Sequence, residues 1–296
     1  MIPQGGSLHF IGICGTAMAS VAAALKTRGY RITGSDTGVY PPMSDFLRER
    51  GIEITSPFSE SNLSHAPDLI VVGNAISRGN PEVERALQER RRLVSLPDLV
   101  NQTVLQRSRN LVVSGTHGKT TTSSLLTWIL VSAGLDPSFL IGGIAENLGE
   151  GARFTEGPFT VVEGDEYDSA FFDKRSKFIH YAPEVAIFNN LEFDHADIFD
   201  SLAQIQRSFL HFARLTPRNG RLLVNGDDPN LEEIRRFPHA PVTTFGFGEQ
   251  CDARIEALGS DETGVRFRLD AQEYQSPLFG AFNLRNAAAA ICAARH

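Results

Sequence analysis

The sequence predicts an α/β protein whose parallel sheets are covered by helices on both faces. Short apolar runs alternate with longer stretches of helical patterning, which is typical of strands joined by helical crossovers. The predicted strands of the first half are residues 8–13, 31–36, 52–54 and 69–73, and the predicted helices between them are residues 16–27, 43–50 and 81–92. The pattern then starts again with an apolar strand at residues 111–115, followed by a glycine-rich loop. Two successive units of this class are therefore expected.

Because the strand–helix pattern begins again at residue 111, we predict a domain boundary near residues 104–110, where a polar segment precedes the new strand. Later strands are predicted at residues 160–165, 185–190 and 221–228, and each ends in polar or acidic residues. We therefore divide the chain into domains 1–107 and 108–296. The alanine-rich helical pattern at the end has no closing Gly, Asn or Pro, which indicates that the natural chain is longer.

Composition and charge exclude several classes of protein. The 296 residues are 42% apolar and carry 28 Lys+Arg against 35 Asp+Glu, a net charge of −7. This excludes disordered and collagen-like chains and argues against a nucleic-acid coat or a polybasic membrane anchor. Three distant cysteines without metal-site spacing predict reduced thiols. Because neither a signal peptide nor a membrane span is visible, we expect a cytoplasmic protein that binds neither nucleic acid nor membrane.

The strongest local motif follows the strand at residues 111–115 and reads SGTHGKTTT over residues 114–122. Backbone N–H groups of such a loop, together with the N-terminus of the next helix, bind polyphosphate. Lys119 would reach the β- and γ-phosphates, and the hydroxyl of Thr120 would bind Mg²⁺. The general pattern places its first glycine at position 113, which is valine here, so the loop is a variant that starts at Gly115.

A weaker motif, GICGTAM at residues 12–18, follows the first strand. This is where a Rossmann-like domain binds a pyrophosphate. Cys14 and Ala17 replace the second and third glycines of the G-x-G-x-x-G pattern, while Asp36 ends the next strand and could bond a ribose. The residues alone leave open a dinucleotide site, another nucleotide-diphosphate site and a tightly packed turn.

Two later strand ends carry clusters of acidic residues, at residues 163–169 and 189–197, the second with a histidine. The carboxyl ends of neighbouring parallel strands converge on one crevice, and carboxylate oxygens suit Mg²⁺. One such cluster is more typical of a solvated, helix-capping loop, but two beside a phosphate loop favour a metal site. Asn283 and Asn286 begin the last predicted helix, where a base contact and the simpler N-terminal cap are both open.

Together these motifs resemble those of the Mur ligase family, the ATP-dependent amide-forming enzymes of peptidoglycan synthesis. The resemblance covers essentially the whole chain and rests on GICGTAM, GSD, GNAISRGNPE, GTHGKTTTS, the N-x-x-x-x-D-H segment, NGDDPN and the G-x-x-N-x-x-N element. It implies a Rossmann-like UDP-binding domain followed by a P-loop Mur-ligase central domain. The residues alone leave the ligand of the first glycine loop open, and the resemblance favours UDP over NAD.

The resemblance also implies roles for the matching residues. The implied catalytic residues are Lys119, Glu163 and His195, and the implied magnesium ligands are Thr120, Glu163 and His195. The residues implied to bind ATP are Gly115, Thr116, His117, Gly118, Lys119, Thr120, Thr121, Asn283 and Asn286. Those implied to contact the UDP substrate are Gly12, Gly15, Thr16, Asp36, Asn74, Ala75 and Ile76. The implied cofactors are ATP and Mg²⁺.

Residues 165–178 and 189–199 are more similar to one branch of this family than to another. That branch joins UDP-N-acetylmuramate to the murein tripeptide L-alanyl-γ-D-glutamyl-meso-diaminopimelate in cell-wall recycling. The implied reaction forms an acyl phosphate on UDP-N-acetylmuramate, which the tripeptide amine then attacks. Two alternatives remain, an L-alanine-adding ligase and a nucleotide-binding fragment without catalysis.

Two departures from the family pattern affect the expected activity. Several members use a carbamylated lysine after the metal histidine, whereas this chain has no lysine after Lys177. The family has a third domain that binds the amine substrate, and the resemblance here ends before it, so we expect residues 1–296 alone to be inactive or nearly so. A nicotinamide-dependent oxidoreductase would leave the phosphate loop without a role, and a nucleotide-binding regulator would not need the acidic clusters.

Overall fold

The computed structural model describes residues 5–194 and 199–296, which form two sheets and a separate hairpin. The strands are β1 Ser7–Ile11, β2 Arg31–Ser35, β3 Glu53–Thr55, β4 Leu69–Val72, β5 Leu93–Ser95, β6 Arg109–Ser114, β7 Ser138–Leu140, β8 Ala152–Arg153, β9 Phe159–Gly164, β10 Asp168–Ala170, β11 Asp173–Ser176, β12 Val185–Phe188, β13 Arg221–Asn225, β14 Val242–Gly246, β15 Ala253–Asp261, β16 Gly264–Leu269 and β17 Gln272–Ser276. The helices are α1 Thr16–Thr27, α2 Met43–Glu49, α3 Pro81–Gln88, α4 Leu96–Thr103, α5 Lys119–Ser132, α6 Leu202–Ala213, α7 Glu232–Arg235 and α8 Ala281–Ala294. No helix in these two ranges is both long and apolar enough to cross a bilayer.

The first sheet has the strand order β3-β2-β1-β4-β5, and all of its neighbouring strands are parallel. Every residue of β4 is buried, as expected for a parallel strand covered on both faces. The strand order reverses at β1, so the loops after β1 and β4 flank a crevice at the carboxyl ends of the strands. The predicted α/β class is confirmed here, although α3 ends at Gln88 and not at residue 92.

The second sheet has ten strands in the order β17-β16-β15-β14-β13-β12-β6-β9-β7-β8. The strand order reverses at β6, which has β12 and β9 as parallel neighbours. The loop after β6 therefore opens at the crevice of this sheet. Strand β15 pairs with β14 in parallel, and β16 and β17 then continue the sheet in antiparallel pairs. The sequence analysis did not predict this extension.

Apolar layers cover both faces of the second sheet. One layer contains α5 and α8, where the buried alanines 287–290 leave room for the two helices to approach closely. The other contains a cluster of aromatic rings from Phe178, Phe188, Phe209 and Phe212, with the centroids of Phe178 and Phe212 4.8 Å apart. These layers hold the ends of β6 and β9 in fixed register, which positions the loops that follow them.

Helix α1 connects the two sheets. It is buried from Met18 to Leu25 because it packs both on the first sheet and against β8. Arg28, the residue that caps α1, donates to Glu156 at 2.6 Å across this contact. The strands of the two sheets come from residues 7–95 and 109–276, and the exact division at residue 107 stays a prediction.

Strand β2 approaches the β1–α1 loop so closely that only glycine fits at position 34. A Cβ atom at Gly34 would lie 2.5 Å from Ile13 Cδ1 and 2.8 Å from the carbonyl oxygen of Phe10. We expect Gly34→Ala to lower the free energy of unfolding by about 1–3 kcal/mol, measured by urea denaturation. Gly15→Ala is the matched control, because its Cβ would have contacts of 3.6 Å or longer. Equal stability of the two variants would contradict this packing argument.

Candidate functional site

Contacts with the loop after β12 fix the loop between β6 and α5. Gly115 has φ +142° and Gly118 has φ +79°, conformations that L side chains rarely adopt. The N–H of His117 donates to Asn190 Oδ1 at 2.8 Å, and the N–H of Thr116 donates to the Asn190 carbonyl oxygen at 3.2 Å. The loop is thus held as a backbone cradle at the N-terminus of α5, a geometry suited to phosphate.

Lys119 begins α5, and its ammonium group turns back towards this cradle. The Nζ atom donates to the carbonyl oxygen of Gly115 at 2.7 Å and to the two Glu166 carboxylate oxygens at 2.9 and 3.1 Å. The two side chains are 13% and 2% exposed, so this is a nearly buried ion pair. Such a pair is costly to break from one side, because the remaining charge stays buried without compensation. Glu166 therefore holds Lys119 at the mouth of the cradle.

Thr120 and Glu163 meet beside the same cradle. The Thr120 hydroxyl donates to Glu163 Oε1 at 3.0 Å, and the N–H of Gly142 donates to Glu163 Oε2 at 2.8 Å. Glu163 lies near the end of β9, which pairs with β6, so the carboxylate reaches the loop from the neighbouring strand.

This oxygen pair fits a magnesium ion. Two ligands on adjacent corners of an octahedron with bonds of 2.0–2.1 Å lie about 2.9 Å apart, close to the separation between Thr120 Oγ1 and Glu163 Oε1. Hydroxyl and carboxylate oxygens are also the donors that Mg²⁺ prefers. Within the described ranges, no group of three or more His, Cys, Asp and Glu side chains could hold a metal. The ion would therefore need phosphate oxygens and water to complete its shell.

The other acids of this strand end have different partners. Lys177 Nζ lies 2.5 Å from Asp165; although burial by itself raises the pKa of Asp165, this ammonium holds it below the ordinary value. Asp168 accepts a hydrogen bond from Lys174 at 2.5 Å. His195, the predicted catalytic and metal residue of the second acidic cluster, lies outside the described residues.

A cavity of about 590 Å³ adjoins the phosphate loop on the side of α8. Its lining includes His117, Asn190, Asp227, Phe282, Arg285 and Asn286. Arg285 Nε donates to Asp227 Oδ2 at 2.9 Å, which joins α8 to the loop after β13. A side chain at position 118 would collide with the Asn286 amide, so that amide lies directly against the phosphate loop. Its amide, guanidinium and aromatic side chains are groups that can contact a nucleotide base.

Neither of the two predicted base-contacting asparagines caps α8. Gly280 is the cap residue, which overturns the simpler interpretation of these side chains. Asn283 Nδ2 donates to the Phe279 carbonyl oxygen at 2.8 Å, and Asn286 Nδ2 donates to Asn283 Oδ1 at 3.3 Å. Asn286 lines the cavity, and the base contact itself stays a prediction. Thr121, also predicted to bind ATP, follows in the first turn of α5.

Asp36 joins two loops at the carboxyl end of the first sheet. Its carboxylate accepts the N–H of Cys14 and the N–H of Gly38, each at 2.9 Å. Because each oxygen already accepts one backbone N–H, Asp36 fixes the shape of the β1–α1 loop. The predicted ribose contact would use the remaining lone pairs.

The other predicted UDP-contacting residues surround the same crevice. Gly12 has φ +85°, and a Cβ atom there would lie 3.3 Å from the side chain of Ile76. Gly15 caps α1 and Thr16 begins it, with no acidic side chain in the first turn. The two remaining predicted residues, Asn74 and Ala75, are exposed in the loop after β4. A helix N-terminus without acids, beside a glycine turn, is suited to a diphosphate.

Two domains of one protein family match the chain, and together they cover nearly all of its length. The Mur ligase family, catalytic domain, matches residues 7–107, and the Mur ligase middle domain matches residues 113–294. The chain belongs to the Mur ligase family. The resemblance seen in the sequence motifs is therefore confirmed.

Known Mur ligases are similar to nearly the whole chain, but their sequence identity to it differs. The UDP-N-acetylmuramate–L-alanyl-γ-D-glutamyl-meso-2,6-diaminoheptandioate ligase of Haemophilus influenzae is 45% identical over 98% of this chain and 64% of its own length. The UDP-N-acetylmuramate–L-alanine ligase of Bordetella avium is 34% identical over 97% of this chain and 61% of its own length. The crystal structure of the UDP-N-acetylmuramate:L-alanyl-γ-D-glutamyl-meso-diaminopimelate ligase from Neisseria meningitides matches with a TM-score of 0.91 at 41% identity, over 98% of this chain and 93% of that chain. This Mur ligase chain is thus a homologue of murein peptide ligases and spans about 64% of the curated relative's length.

Sequence reasoning missed three side chains of this Mur ligase site. Glu166 was seen only as one acid of a cluster, and its pairing with Lys119 could not be read from a spacing of 47 residues. Asp227 and Arg285 lie 58 residues apart and meet only because β13 and α8 pack together. The NGDDPN motif was the one available signal for Asp227.

Proposed function

We propose that the protein to which this chain belongs is a murein peptide ligase. It joins the lactyl carboxylate of UDP-N-acetylmuramate to the amine of L-alanyl-γ-D-glutamyl-meso-diaminopimelate, with consumption of ATP. The observation that carries the proposal is the meeting of Lys119, Thr120 and Glu163 where β6 and β9 end, in a chain with a second nucleotide crevice. The choice of acceptor is supported by the higher identity to a tripeptide ligase, 45%, than to an L-alanine ligase, 34%.

In the first step the lactyl carboxylate oxygen attacks the γ-phosphorus of ATP, so that an acyl phosphate forms, the bond to the bridging β-phosphate oxygen breaks, and ADP leaves. Because the carboxylate and the γ-phosphate are both anions, positive charge must lie between or beside them. Lys119 would exchange part of its contact with Glu166 for the phosphates, while the cradle N–H groups bind the remaining phosphate oxygens. A Mg²⁺ held by Thr120 and Glu163 would supply further positive charge, and His195 is proposed as ligand of a second ion. Most of the catalysis would then be positioning and electrostatics.

The second step releases phosphate. The tripeptide amine attacks the acyl carbon, a C–N bond forms, the C–O bond to the phosphoryl group breaks, and inorganic phosphate leaves. The UDP end of the donor would lie in the crevice of the first sheet. Phe171, in the turn of the β10–β11 hairpin, and Ile76 both pack against the apolar cluster that includes Ile11. The hairpin therefore contacts the unit of the first sheet, and the sugar would extend along it.

Phosphate release by the full-length protein that carries this chain tests the proposal. With ATP, Mg²⁺ and UDP-N-acetylmuramate present, we expect the tripeptide to support release at least about tenfold faster than an equal concentration of L-alanine. Release with L-alanine alone would assign the protein to the L-alanine-adding branch. Release with neither acceptor would contradict ligation and favour a nucleotide-binding protein without catalysis.

A further inference from the structure

A completely buried carboxylate lies behind the walls of the crevice at the first sheet. Glu82 belongs to the first turn of α3 and is 0% exposed, and the mechanism above gives it no role. Its Oε2 atom accepts from the Ser35 hydroxyl at 2.6 Å and lies 3.0 Å from His9 Nε2. Its Oε1 atom accepts from the Asn62 amide at 2.7 Å and from the N–H of Ser59 at 3.2 Å. Each oxygen therefore has two partners, and neither is open to a ligand.

These contacts keep the Glu82 carboxylate ionised. Burial by itself raises the pKa of this carboxyl, but the hydrogen bonds from His9, Ser35 and Asn62 hold it below its ordinary value. An ionised carboxylate only accepts hydrogen bonds, which suits a site surrounded by donors. An amide in its place would turn an N–H group towards one of these donors and leave buried polar atoms unsatisfied.

Ser35 connects this carboxylate to the glycine turn of the crevice. It is the last residue of β2 and is completely buried. Its carbonyl oxygen accepts the N–H of Gly12 at 2.8 Å and the N–H of Ile13 at 3.1 Å. The next residue along the chain is Asp36, the predicted ribose contact. A fixed Ser35 therefore fixes two walls of the crevice.

The third wall, the loop after β4, ends at the same carboxylate. This loop contains Ile76, whose side chain lies 3.3 Å from the position that a Cβ atom at Gly12 would take. The loop leads into α3, where the Asn80 side chain caps the helix by accepting the N–H of Glu82 at 3.0 Å. The first turn of α3 therefore holds the loop from one side, and contact with the glycine turn holds it from the other.

We propose that Glu82 is a positioning residue of the UDP crevice, acting through Ser35 on the glycine turn and on Asp36. The inference rests on the proposed function, which places the UDP end of the donor substrate at the first sheet. A diphosphate that binds backbone N–H groups needs them at fixed positions, and such positions depend on the residues behind them. Because the chemical step takes place at the second sheet, Glu82 acts on the affinity for UDP-N-acetylmuramate and not on the rate of that step.

The test uses Glu82→Gln in the full-length protein. We expect the KM for UDP-N-acetylmuramate to rise about tenfold or more, while kcat and the KM for ATP change less than about twofold. Asp68→Asn is the matched control at the opposite end of the first sheet, where Asp68 accepts the N–H and the hydroxyl of Ser7 at 2.7 and 2.8 Å. It should leave all three constants within about twofold of the wild type.

Two smaller changes keep the test valid if Glu82→Gln folds poorly. Ser35→Ala and Asn62→Ala each remove one hydrogen bond to the same carboxylate, but only Ser35 adjoins the glycine turn and Asp36. We expect Ser35→Ala to raise the KM for UDP-N-acetylmuramate at least about threefold, and Asn62→Ala to raise it less than about 1.5-fold. Equal rises in the two variants, or rises that follow the loss of thermal stability, would show a merely structural role and overturn the inference.

Asp36→Ala distinguishes a failure of this inference from a failure of the proposed function. Equilibrium binding of UDP-N-acetylmuramate to the full-length protein should weaken about tenfold in this variant, since a predicted ligand contact is lost. If Asp36→Ala weakens binding and Glu82→Gln leaves it unchanged, UDP binds in the crevice but Glu82 does not position it. If neither variant weakens binding, the placement of UDP in this crevice is wrong, and the role of Glu82 with it.

Discussion

Lys119→Met is expected to lower ATP turnover by about 10³-fold or more while leaving UDP-N-acetylmuramate binding within about twofold. The reason is that the Lys119 ammonium is the fixed positive charge at the mouth of the phosphate cradle, 2.7 Å from the carbonyl oxygen of Gly115. The crevice proposed for UDP lies at the first sheet, whereas the hydrogen-bond partners of Lys119 among the described residues all belong to the second sheet's unit. Phosphate release and equilibrium binding of UDP-N-acetylmuramate, both in the full-length protein, measure the two effects separately.

The Lys119→Met experiment must distinguish a loss of catalysis from a loss of protein stability. Glu166 is 2% exposed, so removal of Lys119 breaks a buried ion pair from one side, at a cost of about 3–5 kcal/mol. Combining Lys119→Met with Glu166→Gln removes both charges and should recover most of the lost thermal stability without recovering turnover. Lys26→Met, a lysine of the first domain, is the control for loss of one positive charge. A folded Lys119→Met variant with wild-type ATP turnover would contradict the assignment of the phosphate loop.

The sequence predicted the layers of this fold because parallel strands and crossover helices have strong local patterns. Apolar runs such as β4 and the glycine loop before α5 are recognisable without tertiary information. The strands β15 to β17 were not predicted, although the buried residues Val265, Phe267 and Leu269 alternate with polar residues in β16. The second half of β15 and most of β17 are exposed, so these two strands have little hydrophobic periodicity. Short elements such as β5 and α4 were missed for a similar reason, since three to eight residues give little periodicity.

In the candidate site, too, the sequence predicts some features and not others. Lys119 and Thr120 were predicted because they belong to one contiguous motif, whereas Glu163 was selected from an acidic cluster by the family resemblance. Their exact partners depend on which strands are neighbours, and the pairing of β6 with β9 is not encoded in any local spacing. A motif thus predicts which residues reach the crevice but not which of several acids meets which cation.

Buried polar groups away from the site were the hardest to foresee. Glu82 reads in sequence as an ordinary acid in the first turn of α3. In the structure it is completely buried and accepts hydrogen bonds from Ser35 at 2.6 Å and Asn62 at 2.7 Å, with His9 Nε2 3.0 Å away. The N–H of Ser59 donates to the same carboxylate at 3.2 Å, so four groups from distant parts of the chain compensate it. No pattern within α3 signals this, because the partners come from β1, β2 and the segment before β4.

Glu163→Gln should raise the Mg²⁺ concentration needed for half-maximal nucleotide binding by about tenfold or more, since a metal-bound carboxylate loses its charge. The variant keeps the size of the side chain and one acceptor oxygen for the Gly142 N–H. It therefore changes the charge beside Thr120 with little change in packing. Binding of a fluorescent ATP analogue, titrated with Mg²⁺, measures this without requiring turnover.

The comparison variant for this titration is Glu156→Gln, which removes a carboxylate that is 89% exposed and paired with Arg28. It should leave the Mg²⁺ dependence unchanged, because Arg28 and Glu156 lie at the contact of α1 with the second sheet. If Glu163→Gln also leaves the titration unchanged, the magnesium role passes to Asp165 or Glu166, the two other acids of this strand end. Their lysine partners, Lys177 and Lys119, would then have to be displaced when the ion binds. That displacement would oppose Mg²⁺ binding, and for this physical reason Glu163, whose partners are a hydroxyl and a backbone N–H, is the stronger assignment.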